Sequence, residues 1–126
     1  MGRKKTLSID FDGVLHSYNS GWKGANIIPD PPVESAIDWL TALDADGRFS
    51  LCIFSSRNDQ EGGVPAMKRW LLENGLSEDT LDRISFPQSK PPAHMSIDDR
   101  GYQFKGVFPN IEDIHDFVPW NKVAKK

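Results

Sequence analysis

Three short apolar runs, each ending in polar residues, set the tightest limit on how this chain of 126 residues can fold. The first is Leu7-Ser8-Ile9-Asp10-Phe11-Asp12-Gly13, the second Phe49-Ser50-Leu51-Cys52-Ile53-Phe54-Ser55, and the third Met95-Ser96-Ile97-Asp98-Asp99. Runs of this length and character read as buried strands. Between the first two, Val33, Ile37, Leu40 and Leu43 recur at helical spacing, and after the second Met67, Trp70 and Leu71 do the same. Strands alternating with helices imply a mainly parallel sheet with right-handed crossovers. In such a sheet the strands end on one shared edge, where α/β folds place ligands. That edge should gather Asp10, Asp12, Ser55, Asp98 and Asp99, with Lys90 entering from the loop before the last strand.

Taken in order, residues 16–29 have no periodicity and read as a loop or small hairpin, long enough to suggest a function. Trp22 and Tyr18 within it either cover the tip of the first strand or pack on the domain. Asp30 has the character of an N-cap with Pro31 in the first helical position, and Gly47 that of the residue just past the helix end. A strand over 49–54, a polar loop over 58–63 and a helix over 64–74 follow. A helical turn is expected over 77–83, a strand over 84–86, a proline-rich loop over 87–92, a strand over 95–97 and a marginal strand over 102–108. Asn110 caps a last helix over 111–117, and 119–126 is a flexible basic tail. With no repeats or linkers, 1–126 reads as a single α/β domain. A domain of this size buries roughly two-thirds of the surface its unfolded chain exposes, so neither disulfides nor a structural metal are needed to hold it.

The charge balance of 15 basic to 18 acidic residues, net −3, argues against a broad nucleic-acid footprint. The single Cys52 excludes an internal disulfide and, inside an apolar run, reads as a packed core thiol. No stretch approaches membrane-spanning length and the N-terminus has no secretory apolar region, so a cytoplasmic protein without a membrane partner is expected. None of the three histidines has zinc-ligand spacing. His94 and His115 read as loop and surface residues.

Carboxylates, a hydroxyl and a lysine on one edge make chemical sense around a hard cation. Mg²⁺ takes oxygen ligands and needs only one or two carboxylates when a substrate phosphate completes its shell. One carboxylate can then attack phosphorus and form an aspartyl-phosphate, and a second, two residues on, can protonate the leaving group and later activate water. The hydroxyl and the ammonium would hold the phosphoryl oxygens.

In these features the chain resembles the haloacid dehalogenase (HAD) superfamily of phosphohydrolases. Ile9-Asp10-Phe11-Asp12-Gly13 matches its first motif, Leu51-Cys52-Ile53-Phe54-Ser55 its second, Lys90 its third and Ile97-Asp98-Asp99 its fourth. Arg57 is similar to the arginine two residues after the second motif in many members. The resemblance covers roughly residues 7–108, and it implies a three-layer Rossmann-like fold. It also implies Asp10 as nucleophile, Asp12 as general acid and base, Ser55 as phosphoryl binder with Ser56 as substitute, and Lys90 as the stabilising cation. Mg²⁺ would lie between Asp10, the Asp12 backbone carbonyl and Asp98, with Asp99 behind it or as an alternative ligand. His16, Arg57 and Arg100 are candidates to contact the substrate. Lys90 sits in a proline-rich loop, so Lys68 on the second helix is a further candidate for the lysine.

There is no room for a cap domain, and the chain is similar to small capless members of phages and bacteria. An open site implies a bulky phosphorylated substrate, such as a nucleic-acid end, a nucleotide or a phosphoprotein, or a cap lent by a second subunit. Two other classes stand beside the phosphatase. A receiver domain uses similar groups, but its phospho-acceptor ends a middle strand, where this chain has Ser55. A non-catalytic Mg²⁺- and phosphate-binding protein of the same fold is the other alternative.

Overall fold

The computed structural model describes residues 4–97 and 106–116. Strand β1 (Lys5–Ile9) has Leu7, Ser8 and Ile9 all buried, as a strand covered on both faces must. It pairs in parallel with β2 (Phe49–Ile53) on one side and β3 (Met95–Ile97) on the other, giving the order β2-β1-β3. Ile9 stands level with both Ile53 and Ile97, so the three strands end on one line. The pairing runs slightly past the strand ends: the Asp10 N–H donates to the Ile97 carbonyl at 3.3 Å, and the Phe54 N–H to the Ile9 carbonyl at 3.0 Å. The molecule is therefore a small α/β unit around an open parallel sheet.

The strand expected over 84–86 is reduced to one bridge. Ser85 pairs with Cys52 through bonds to the Leu51 carbonyl (3.1 Å) and from the Ile53 N–H (2.9 Å). Pro87 follows at once, and a proline has no N–H with which to extend the ladder. Of the marginal strand expected over 102–108, residues 106–108 are described and are not extended into a strand, while 102–105 lie outside the described residues.

The helices are α1 (Ala36–Asp46), α2 (Gly63–Glu73), α3 (Glu78–Asp82) and α4 (Ile111–Asp116). The Ser77 hydroxyl caps α3 by accepting the Thr80 N–H at 3.1 Å, and the Asn110 side chain caps α4 by accepting the Asp113 N–H at 2.9 Å. Phe117 and the tail lie outside the described residues. The expected start of α1, with Asp30 as cap and Pro31 first, is corrected: the helix begins five residues later, at Ala36, after Ser35 turns the chain through left-handed backbone at φ 72°. The Asp30 side chain is already committed elsewhere, accepting the backbone N–H and the hydroxyl of Ser20, both at 2.7 Å.

Pro31 and Pro32 instead belong to a short antiparallel pairing. The Val33 N–H donates to the Leu15 carbonyl at 2.8 Å and the Ser17 N–H to the Pro31 carbonyl at 3.0 Å. The segment 16–32 is thus a closed loop between β1 and α1.

Inside, Leu7, Ile9, Phe11, Leu40, Leu43, Ile53, Met67, Leu71, Ile97 and Ile114 join one apolar cluster. Cys52 is buried beside it as expected, and burial pushes its thiol above the usual range. Trp39 docks the segment before α4 by stacking on Phe108 at 4.6 Å and donating to the Pro109 carbonyl at 3.1 Å.

Candidate active site

The strand ends place Asp10 and Ser55 beside each other's strands, because Asp10 follows β1 and Ser55 lies two residues beyond β2 in register with it. Asp10 is half-buried, and one of its oxygens accepts the Phe11 N–H at 2.8 Å. After Phe11 the chain turns sharply: Gly13, at φ 82°, donates its N–H to the His16 carbonyl at 2.8 Å. That left-handed conformation suits glycine, as the sequence leads one to expect.

Asp12 is heavily engaged. Its Oδ1 accepts from His16 Nδ1 at 2.9 Å, from Arg57 Nη2 at 3.0 Å and from Arg57 Nε at 3.3 Å. Its Oδ2 accepts from Arg57 Nε alone, at 3.0 Å. The tautomer of His16 follows from its other side. The Asp30 backbone N–H donates to His16 Nε2 at 3.1 Å, so that nitrogen carries the lone pair and Nδ1 carries the proton given to Asp12. His16 is wholly buried, packed on Phe11 and Trp70 at ring separations of 5.6 Å each.

Arg57 is the largest fully buried side chain among the described residues. Besides Asp12, its Nη1 donates to the carbonyls of Gly24 (2.9 Å), Ala25 (2.9 Å) and Ile27 (3.3 Å). Its guanidinium lies 4.7 Å from the centre of the Trp22 ring and 5.8 Å from that of Phe11. A buried cation is tolerable only when its donors are matched, and here a carboxylate and three carbonyls match them. Backbone packing holds the clamp in place. Gly63, at the start of α2, is so close that any Cβ there would fall onto the Arg57 carbonyl oxygen.

His16 and Arg57 were candidates to touch the substrate, yet both are 0% exposed and turned to Asp12 and the loop. They are the residues that position Asp12. Sequence reasoning had two signals for this, a histidine four residues after Asp12 and an arginine two after Ser55, but neither signal distinguishes a buried partner from an exposed anion contact.

Ser55 is buried, with its hydroxyl accepting the Arg57 N–H at 3.2 Å, and no described residue accepts its proton. Ser56 is exposed, its carbonyl taking the Gln60 side-chain amide at 2.8 Å. Lys90 is exposed in the loop before β3. Lys68 lies on α2 with its ammonium 5.5 Å from the Phe86 ring. Asp98, Asp99 and Arg100 lie outside the described residues.

The donors at the edge that bear on a metal are all oxygens. Asp10 offers a carboxylate, and the Asp12 carbonyl accepts no hydrogen bond from a described residue. Such a set fits a hard cation that keeps several waters. Among the described residues no three acidic, histidine or cysteine side chains converge on a metal position. No helix among the described residues is long and apolar enough to cross a membrane. Compared with family models, curated proteins and solved structures, the chain finds no match in any of the three.

Proposed function

We propose that the protein is a Mg²⁺-dependent phosphomonoester hydrolase of the haloacid dehalogenase type, capless, with a three-layer Rossmann-like fold. The observation that carries the reading is the edge of the parallel sheet, where Asp10 and Ser55, whose hydroxyl proton no described residue accepts, follow adjacent strands while Asp12 is fixed two residues on.

In the proposed reaction a carboxylate oxygen of Asp10 attacks phosphorus as the bond to the leaving oxygen breaks. Asp12 gives that oxygen a proton, so an alcohol departs and an aspartyl-phosphate remains. Asp12, now ionised, takes a proton from water. The resulting hydroxide attacks phosphorus, which frees inorganic phosphate and restores Asp10. The proton would be carried on Asp12 Oδ2, because Oδ1 already faces three donors and Oδ2 only one. Ser55 would donate to a phosphoryl oxygen, and Lys90, or Lys68 in its place, would balance its charge. The residues proposed to hold Mg²⁺ are Asp10, the Asp12 carbonyl and Asp98, with Asp99 as alternative; when bound, the ion neutralises charge on the phosphoryl oxygens.

A second reading, a non-catalytic Mg²⁺- and phosphate-binding protein, is favoured by the four donor contacts that already hold Asp12. Phosphate release from phosphomonoesters, with and without Mg²⁺, separates the two. The phosphatase should lose at least about 10³-fold in Asp10→Asn and about 10²- to 10⁴-fold in Asp12→Asn. Turnover that survives in Asp10→Asn removes the nucleophile. Mg²⁺-dependent phosphate binding without turnover of any phosphomonoester selects the second reading.

A further inference from the structure

Trp22 is a large aromatic left 46% exposed on a segment that is otherwise pinned down. On one side of it Ser20 is bonded twice to Asp30; on the other, Arg57 grips the carbonyls of Gly24, Ala25 and Ile27. The guanidinium lies 4.7 Å from its ring centre, and no described residue accepts a hydrogen bond from its indole nitrogen. Packing on Arg57 accounts for one face of this ring and leaves the exposed remainder unexplained. A single guanidinium links it to Asp12: Arg57 lies over the Trp22 ring with its face and bonds Asp12 along its edge. The ring is thus tied through one side chain to Asp12 of the candidate site.

We infer that Trp22 is a stacking platform for a nucleobase, and that the phosphomonoester taken at this site is one whose phosphate sits a sugar's width from a base. The inference rests on the phosphatase reading for the identity of the phosphate site, and on Trp22 for the rest. A base has a π-face to lay on an indole, and such stacking tolerates any base. A cation against one side of the ring leaves the ring's contact with the base to the other. Lys23, exposed next in the chain, offers a positive charge for a further phosphate. With a net charge of −3, recognition of a long nucleic-acid tract is disfavoured, so the contact is with one terminal nucleotide.

The experiment uses the full chain as wild type, Trp22→Ala and Trp22→Phe. Substrates are adenosine 3′- and 5′-monophosphate, an oligonucleotide with a terminal phosphate, and ribose 5-phosphate, which lacks the base. Turnover is read as kcat and KM, and calorimetric binding of the same compounds is measured in the Asp10→Asn background. The expected result is a preference for base-bearing compounds of about tenfold or more, expressed in KM. Trp22→Ala should bring the ratio of the two kcat/KM values toward one, and Trp22→Phe should restore most of it. A preference unchanged in Trp22→Ala, or equal binding of ribose 5-phosphate and the nucleotides by wild type, overturns the platform while any turnover keeps the phosphatase. Trp22-dependent nucleotide binding without turnover supports the platform and overturns the phosphatase. Absence of nucleotide binding overturns the platform outright. Comparison of mononucleotide with oligonucleotide tells which source supplies the base.

Discussion

Two loops border the candidate site, and they are built in opposite ways. The segment 16–32 has almost no regular structure, yet Arg57, Trp70, His16 and Asp30 tie it from within: three carbonyls bind Arg57, the Asp30 carbonyl accepts Trp70 Nε1 at 3.0 Å, and the Asp30 N–H binds His16. The segment 87–93 is largely exposed, and the Pro87 carbonyl at its start accepts the Asn58 side-chain amide at 2.7 Å. Order in the first loop comes from buried side chains that reach the backbone. In the second, proline restricts the chain without supplying donors. The first loop is therefore held by long polar side chains buried beneath it, and Asp12 shares one of them, Arg57, with that loop.

The contrast breaks most sharply at Arg57. Arg57→Met leaves Asp12 and three carbonyls without their donor and should cost about 3–5 kcal/mol in urea unfolding. Ser89→Ala, exposed in the second loop, should stay within about 0.5 kcal/mol. Equal effects would show that the two loops are held alike. Gly63→Ala acts on the same clamp from behind, forcing the Arg57 backbone to move, and should cost about 1–3 kcal/mol. His16→Phe fills the space but removes one donor from Asp12 and one acceptor from the Asp30 N–H, a loss of about 1–3 kcal/mol by thermal unfolding.

The smallest effect lies far from both loops and serves as a baseline. Hydrogen bonds from Arg83, aided by Thr80, hold the Asp44 carboxyl below its ordinary 3.8. The folded protein binds that proton more weakly than the unfolded chain, so the contribution is present above the unfolded pKa and is lost as pH falls through the lower folded value. Asp44→Asn should be less stable than wild type near neutrality, with the gap closing at acid pH. A gap independent of pH would mean that the carboxylate charge plays no part.

The scaffold was legible in the sequence because buried parallel strands are continuous apolar runs, and Leu7 to Ile9, Leu51 to Ile53 and Met95 to Ile97 read that way without help. The start of α1 was not. Asp30-Pro31 carries the same local signal whether the aspartate caps a helix or, as here, accepts from Ser20 ten residues back. Nor was the burial of Arg57 and His16. A charged side chain is expected at the surface, and what pays for its burial is a convergence of carbonyls from residues 24, 25 and 27 that has no sequence pattern. The placement of Asp10, Asp12 and Ser55 just past the ends of β1 and β2 was legible because strand ends can be counted. The acids after Ile97 lie outside the described residues.

The pairing of Leu15 with Val33 means that the chain leaves and re-enters the scaffold at almost the same point. The distance from β1 to α1 is therefore independent of how many residues lie between. The segment behaves as an exchangeable cassette: one of another length could be grafted between the same two residues without disturbing the sheet. The graft would have to keep His16, whose Nδ1 donates to Asp12, and one further condition travels with it. Any replacement must again present carbonyl oxygens to Arg57, or the cation that steadies Asp12 would lose its own support. A new insert would then change what lies beside the candidate site, with a single arginine checking that each insert fits.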